Sequence, residues 1–136
     1  MKLVSAVIKP FKLDEVKVAA RECGVTGMTV SQVRGFGRTG GHIEIYRGKE
    51  YEFDFVDKLQ VEIVTTDENV DHVVEAVAGA ARTDTVGDGM LWVTDIEHVV
   101  RIRTGERGPG AVYSRATRSR GAGATRRPWT LAPHSP

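Results

Sequence analysis

A single cysteine, Cys23, stands in the 136 residues. No internal disulfide can form, so a small disulfide-stapled secreted scaffold is excluded. No apolar run approaches the roughly 20 residues that a membrane-spanning helix needs. The opening run Leu3–Ile8, broken by Ser5 and closed by Lys9-Pro10, lacks the long apolar region and small-residue cleavage site of a signal peptide. The expectation is a soluble cytoplasmic protein. The four histidines, His42, His72, His98 and His134, show no metal-ligand spacing. No nucleophile–base pair and no paired-carboxylate arrangement stands beside them, so metal-enzyme and hydrolase readings have no residues to rest on.

Net charge is also scarce, at +1 for 19 basic against 18 acidic side chains, but its distribution is uneven. From Pro109 onward there are five arginines (Arg115, Arg118, Arg120, Arg126 and Arg127) and no acid, leaving −4 on residues 1–108. An acidic body carries a basic tail. The tail is rich in Gly, Pro, Ala, Ser and Arg without an apolar period, which predicts disorder over 109–136. With only Tyr113 and Trp129 as aromatics there, its arginines suit nonspecific polyanion contact rather than specific nucleic-acid recognition.

The remaining 1–108 read as one domain. Lys2–Lys9 is short, β-branched and stopped by Pro10, as a buried strand would be. Leu13–Cys23 follows as a helix, with Asp14 and Glu15 in its first turn, a stripe of Leu13, Val16, Ala20 and Cys23, and Gly24 as its C-cap. That stripe puts Cys23 on the core side, and His72 falls on the solvent face of a second helix. Met28–Arg34 is a second strand, halted at Gly35. Lys58–Thr65 is a third, with Leu59, Val61 and Ile63 on one face. Thr65-Thr66-Asp67-Glu68 reads as a capping box, Thr65 facing the Glu68 amide. It precedes a helix with Val70, Val73, Val74, Val77 and Ala81 in register. Leu91–Thr94 and Val99–Arg103 read as the last strands. Strand–helix–strand twice, in units of about 33 residues, is the ferredoxin-like α+β arrangement, with an antiparallel sheet. Helices cover one sheet face, and the open face calls for self-association. The insertion 37–55 exceeds ordinary loop length. It alternates Ile43, Ile45, Tyr51, Phe53 and Phe55 around Arg47-Gly48-Lys49-Glu50, which fits a protruding hairpin used as a recognition arm or an edge guarded by charge.

Three features carry candidate chemistry. Gly35-Phe36-Gly37-Arg38-Thr39-Gly40 matches G-x-G-x-x-G, but alternating residues follow where a dinucleotide domain needs a helix. What survives is a glycine corner with Arg38, able to present backbone amides to phosphate. Thr83-Asp84-Thr85-Val86-Gly87-Asp88-Gly89 is a second such corner, equally readable as a plain turn. Arg101-Ile102-Arg103, in a strand, would point both guanidiniums to one face. As a lone feature, that pair is more often a solvated surface.

Together these pieces resemble the PII nitrogen-regulatory signal-transduction family, from Met1 to about Arg107. The likeness rests on Val7-Ile8-Lys9-Pro10-Phe11-Lys12-Leu13, Gly27-Met28-Thr29-Val30, Gly35-Phe36-Gly37-Arg38, Tyr46-Arg47-Gly48-Lys49-Glu50-Tyr51, Gly87-Asp88-Gly89 and Arg101-Ile102-Arg103-Thr104-Gly105-Glu106. The opening Met1-Lys2-Leu3 and the stretch Arg103–Gly108 resemble actinobacterial members most. The resemblance implies a homotrimer with nucleotide sites in the clefts between subunits, where ATP and ADP compete. With Mg-ATP bound, 2-oxoglutarate binds at the base of the long loop, which docks on an ammonium transporter or on enzymes of nitrogen metabolism. By similarity, Thr29 and Val64 lie near adenine. Gly35, Gly37, Arg38, Gly87, Asp88, Gly89, Arg101 and Arg103 surround ribose and phosphates, and Lys58 meets the 2-oxoglutarate carboxylate. Tyr51 matches the tyrosine that a nucleotidylyltransferase modifies in relatives, adenylylation being the form implied here. Nothing in this set activates water or a nucleophile, so binding rather than turnover is its natural use.

Four positions depart from the family pattern. Thr39 stands where a glutamine helps hold magnesium. Met90 stands where a lysine meets the terminal phosphates, and Asp84 and Lys49 replace small residues. A thioether cannot supply the lost charge. These departures predict that nucleotide still binds while ATP preference and the 2-oxoglutarate response weaken. The alternative is a divergent PII-like regulator that reads adenylates, or a small anion such as bicarbonate, without a strong 2-oxoglutarate response. A small ATP hydrolase and a ferredoxin-like nucleic-acid binder stand further off, the first for want of a general base and the second for want of strand aromatics.

Overall fold

The computed structural model describes residues 1–37, 44–46, 49–51 and 55–112, with backbone alone for 44–46 and 49–51. Among the described residues, six strands and three α-helices follow in the order β1 (Lys2–Ile8), α1 (Leu13–Glu22), β2 (Thr29–Gly35), β3 (Glu44–Tyr46), β4 (Lys49–Tyr51), β5 (Val56–Thr65), α2 (Val70–Ala81), β6 (Met90–Asp95) and a one-turn α3 (Pro109–Val112). A 3-10 turn, Pro10–Lys12, leads into α1. Proline suits that first turn because its missing N–H would be unsatisfied there anyway. At the other end Gly24, at φ +90°, takes the left-handed position and donates its N–H to the Arg21 carbonyl.

The main sheet has the order β2-β5-β1-β6, and every neighbouring pair is antiparallel. This is the ferredoxin-like α+β fold that the strand–helix–strand repeat predicts. Register fixes the faces, since residues opposite one another share a side and successive residues alternate. Val4 opposes Ile63 and Ala6 opposes Val61, and all four are buried with Ile8, Val16, Ala20, Val73 and Val77 in one core beneath α1 and α2. Each fully buried Val or Ile contributes roughly 1.5–3 kcal/mol. Leu3, Ser5 and Val7 point the other way, onto the face that α1 and α2 leave uncovered, with Gln60, Glu62, Val64, Met90 and Trp92; Ser5 is nonetheless buried among its neighbours there. Trp92 is 42% exposed and Met90 68%. The stripe expected to bury Cys23 does so in part, since it packs against the core with its Sγ 3.5 Å from the His72 carbonyl. His72 itself is exposed.

Two local expectations are corrected. Val99–Arg103 is not a strand: Val100 makes an isolated bridge to Arg107, and the chain turns back between them. The Arg101 amide donates to the Glu106 carbonyl, and the Gly105 amide to the Arg101 carbonyl. Gly105, at φ +78°, supplies the left-handed residue this reversal needs. Arg101 and Arg103 therefore do not share the face of a strand. The capping box is not formed either, since α2 starts at Val70 after Asn69 with no side-chain cap bond. Thr65 closes β5 and is buried, while the Oγ1 of Thr66 accepts the Asn69 amide at 3.3 Å. In the insertion, β3 and β4 pair antiparallel, Glu44 opposite Tyr51. The expected tail begins at Pro109, where α3 buries Ala111 and the Thr26 hydroxyl donates to the Val112 carbonyl at 2.8 Å. Residues 113–136 lie outside the described residues.

Candidate functional site

One end of the sheet collects the chemistry. β1 and β2 finish there, β5 and β6 start there, and the segment Thr83–Gly89 crosses between α2 and β6. Gly35 pairs with Val56 at this end and Val33 with Lys58. Lys9 leaves β1 beside them.

The Thr83–Gly89 corner is not a slack turn. Gly87 and Gly89 have φ of +97° and +94°, and Asp84 is left-handed at +65°. For a residue with a Cβ, that conformation costs about 1 kcal/mol, which the Asp88 side chain offsets. Its Oδ2 accepts the amides of Thr83 and Asp84, each at 2.8 Å, and its Oδ1 accepts the Thr83 hydroxyl. These bonds, the Thr83 hydroxyl foremost, hold the Asp88 carboxyl far below the usual carboxylate range, with Lys9 adding to the effect.

Two lysines close the corner from the strand side. The ammonium of Lys9 donates to the Thr83 and Thr85 hydroxyls at 2.9 and 2.6 Å and stands 3.3 Å from Asp88 Oδ1. Lys58, only 7% exposed, donates to the Gly87 carbonyl. Burial first, and the neighbouring Lys9 second, push the Lys58 ammonium below its ordinary pKa, while Asp88 opposes them. Two ammoniums thus face one carboxylate. A further anion is the charge such a site favours, and the peptides of the glycine corner are directional donors for it. No step of bond making needs these groups, so the arrangement is suited to holding an anionic ligand.

The predicted residues fall into separate groups. Lys58, Gly87, Asp88, Gly89 and Gly35 come together at this end of the sheet, and Gly37 follows two residues after β2. Thr29 lies opposite Glu62, and Val64 is opposite Leu3. Both therefore occupy the uncovered face. Val64 is six residues along β5 from Lys58, about 20 Å at strand rise. Arg101 and Arg103 lie in the 101–106 turn, with Arg101 Nε 3.8 Å from Glu106 Oε1. Arg38 and Thr39 lie outside the described residues, as does the Tyr51 side chain, whose backbone belongs to β4. Sequence reasoning did not single out Lys9, Thr83 or Thr85 as site residues. The one local signal was a lysine ending a buried strand, because its partners lie more than 70 positions away.

The family model for Nitrogen regulatory protein P-II matches residues 1–106. Among relatives, the nitrogen regulatory protein P-II of Rhodobacter capsulatus is 56% identical over 112 residues, covering 82% of this chain and all of that one. Those of Microchaete diplosiphon and Pasteurella multocida are 56% and 54% identical over the same share of each chain. The chain therefore belongs to the nitrogen regulatory protein P-II family, as a regulator of nitrogen signalling rather than an enzyme.

Proposed function

We propose that this chain is a trimeric sensor of ATP and ADP, and of 2-oxoglutarate, which regulates an ammonium transporter or enzymes of nitrogen metabolism through loop 37–55. The observation that carries the reading is the corner Thr83–Gly89, held open as an anion seat by Lys9, Lys58 and Asp88. Gly87 and Gly89 meet the phosphates, with Gly35, Gly37, Arg38, Asp88, Arg101 and Arg103 around ribose and phosphates. Lys58 takes the 2-oxoglutarate carboxylate, and magnesium accompanies ATP.

The distance between the corner and Thr29 with Val64 supports a site shared between copies. One chain offers its corner while the uncovered face of a second offers the adenine wall, so a monomer holds only part of the site. The apolar residues on that face, Met90 and Trp92 among them, give the copies a reason to associate. The body, residues 1–108, is the sensing unit, residues 109–136 are an appended basic segment, and the protein works in the cytoplasm. Tyr51 is the modification point for a nucleotidylyltransferase. Among the described residues, no helix is long and apolar enough to cross a membrane.

A second reading is favoured by Met90. It leaves the corner directly after Gly89, largely exposed, and brings no charge to a terminal phosphate. A regulator that reads adenylates or a small anion, with a weak 2-oxoglutarate response, follows from that. Calorimetry with ATP, ADP and AMP, each with and without 2-oxoglutarate and magnesium, tests both readings. Strong coupling of 2-oxoglutarate to Mg-ATP supports the first, and adenylate binding indifferent to 2-oxoglutarate supports the second.

A further inference from the structure

Lys9 and Lys58 stand side by side, yet their bonding differs. The Lys9 ammonium has an oxygen at each of three positions, Thr83 Oγ1, Thr85 Oγ1 and Asp88 Oδ1. An ammonium has three N–H donors and no acceptor, so these contacts use all of them. Asp88 is equally full. Its two oxygens face Lys9, the Thr83 hydroxyl, and the amides of Thr83 and Asp84, matching the four lone-pair positions of a carboxylate. The Thr83 and Thr85 hydroxyls close the ring at 2.7 Å from each other.

The network therefore turns inward. It fixes the amides of Thr83 and Asp84, and with them the left-handed turn at Asp84. The next part of the corner is set by Lys58. Its bond to the Gly87 carbonyl orients the Gly87–Asp88 peptide, whose N–H points opposite to that carbonyl in a trans peptide. Gly89 is in turn pressed against the Val7 carbonyl, one residue before the strand end that carries Lys9. The corner is thus clamped at both ends, and one clamp is a lysine with no donor left for a ligand.

We propose that Lys9 is a positioning residue for phosphate recognition, acting through Asp88 on the peptides of the corner and not by touching the ligand. The proposal rests on the nucleotide reading above. A fully satisfied network of this kind holds one geometry, and removing one charged member leaves the others with unmet bonds. Without Lys9 the amides of Thr83 and Asp84 lose the charge that keeps Asp88 against them, and the phosphate-facing peptides lose their fixed orientation.

The test uses the full chain with Lys9→Met, Lys9→Arg and Thr85→Val. Thr85 is exposed, so its variant removes one Lys9 partner without burdening the core. Amide exchange at Thr83 and Asp84 is read without ligand, and affinities for ATP, ADP and adenosine are read by calorimetry. In Lys9→Met both amides exchange faster, and ATP and ADP affinity falls about tenfold, the size of one backbone hydrogen bond to phosphate lost when its peptide turns away. Adenosine affinity is unchanged, Lys9→Arg recovers most of the loss, and Thr85→Val shows a smaller loss of the same pattern. Weaker ATP binding with unaltered amide exchange would make Lys9 a direct ligand and overturn the proposal. So would faster exchange with unaltered ATP affinity, or an equal loss for adenosine. A wild-type chain that binds no adenine nucleotide removes the nucleotide reading itself, and the recognition role with it. The wild-type titration alone separates that outcome from a failure specific to Lys9.

Discussion

The Val7 carbonyl oxygen lies so close to Gly89 that a Cβ at position 89 would stand 1.8 Å from it. Gly89 is also left-handed, at φ +94°. It is the last residue before β6, whose first residue, Met90, pairs with Val7. One contact thus fixes where the corner ends, where the edge strand begins and how near the corner lies to Lys9.

Gly89→Ala is accordingly expected to cost about 3 kcal/mol, combining steric overlap with a strained backbone. Chemical denaturation checks it. Gly79→Ala, at a helical glycine with open space around it, serves as the control and is neutral or slightly stabilising. A Gly89→Ala chain as stable as wild type would mean that the corner does not pack on β1 as described.

Stability should carry a signature of Lys58 at alkaline pH. Its folded pKa lies below the ordinary 10.5 because burial and Lys9 disfavour the ammonium. Between the folded and unfolded values the unfolded chain binds more protons. Stability therefore rises with pH through that window, and the penalty is fully present only below the folded pKa. The difference in unfolding free energy between wild type and Lys58→Met, followed from neutral pH to about pH 10.5, should move in favour of wild type. A flat difference would contradict the burial argument.

Asp88 gives the opposite edge of the pH profile. Its carboxyl is held well below the ordinary 3.8. The stability it supplies is present above that value and is lost as pH falls toward the folded pKa. Asp88→Asn should be less stable than wild type at neutral pH, with the gap narrowing in acid. Equal acid dependence of the two chains would show that the Thr83 and Asp84 amides are held by something else.

The uncovered sheet face yields a prediction about assembly. Trp92→Glu places a charge among Ser5, Glu62 and Val64 on the face assigned to self-association. Light scattering should show a trimer for wild type and smaller species for the variant, with helical content retained. A monomeric wild type would remove the shared-site account.

Much of this fold is legible in the sequence because its core is periodic. Val73, Val77 and Ala81 mark α2, and Leu59, Val61 and Ile63 mark one face of β5. What fails is decided by contacts that local pattern does not carry. Val99, Val100 and Ile102 have strand-forming side chains, yet Gly105 allows the chain to turn back within six residues. Thr65 is taken up as the last residue of β5, and Thr66, buried as well, is the one whose hydroxyl accepts the Asn69 amide ahead of α2. In the site, the glycine corner is visible as composition. Its fixing by Lys9 is not, because Thr83 and Thr85 meet that lysine from across the chain. The separation of Val64 and Lys58, by contrast, follows directly from six residues of spacing along one strand, and it supports a site shared between two chains.

Calorimetric titration of the full chain with ATP tests the central claim most directly. The account predicts saturable binding of ATP and ADP, weaker for AMP, with Met90→Lys raising ATP affinity more than AMP affinity. Absence of heat with every adenine nucleotide, in a chain shown to be folded and trimeric, would contradict it.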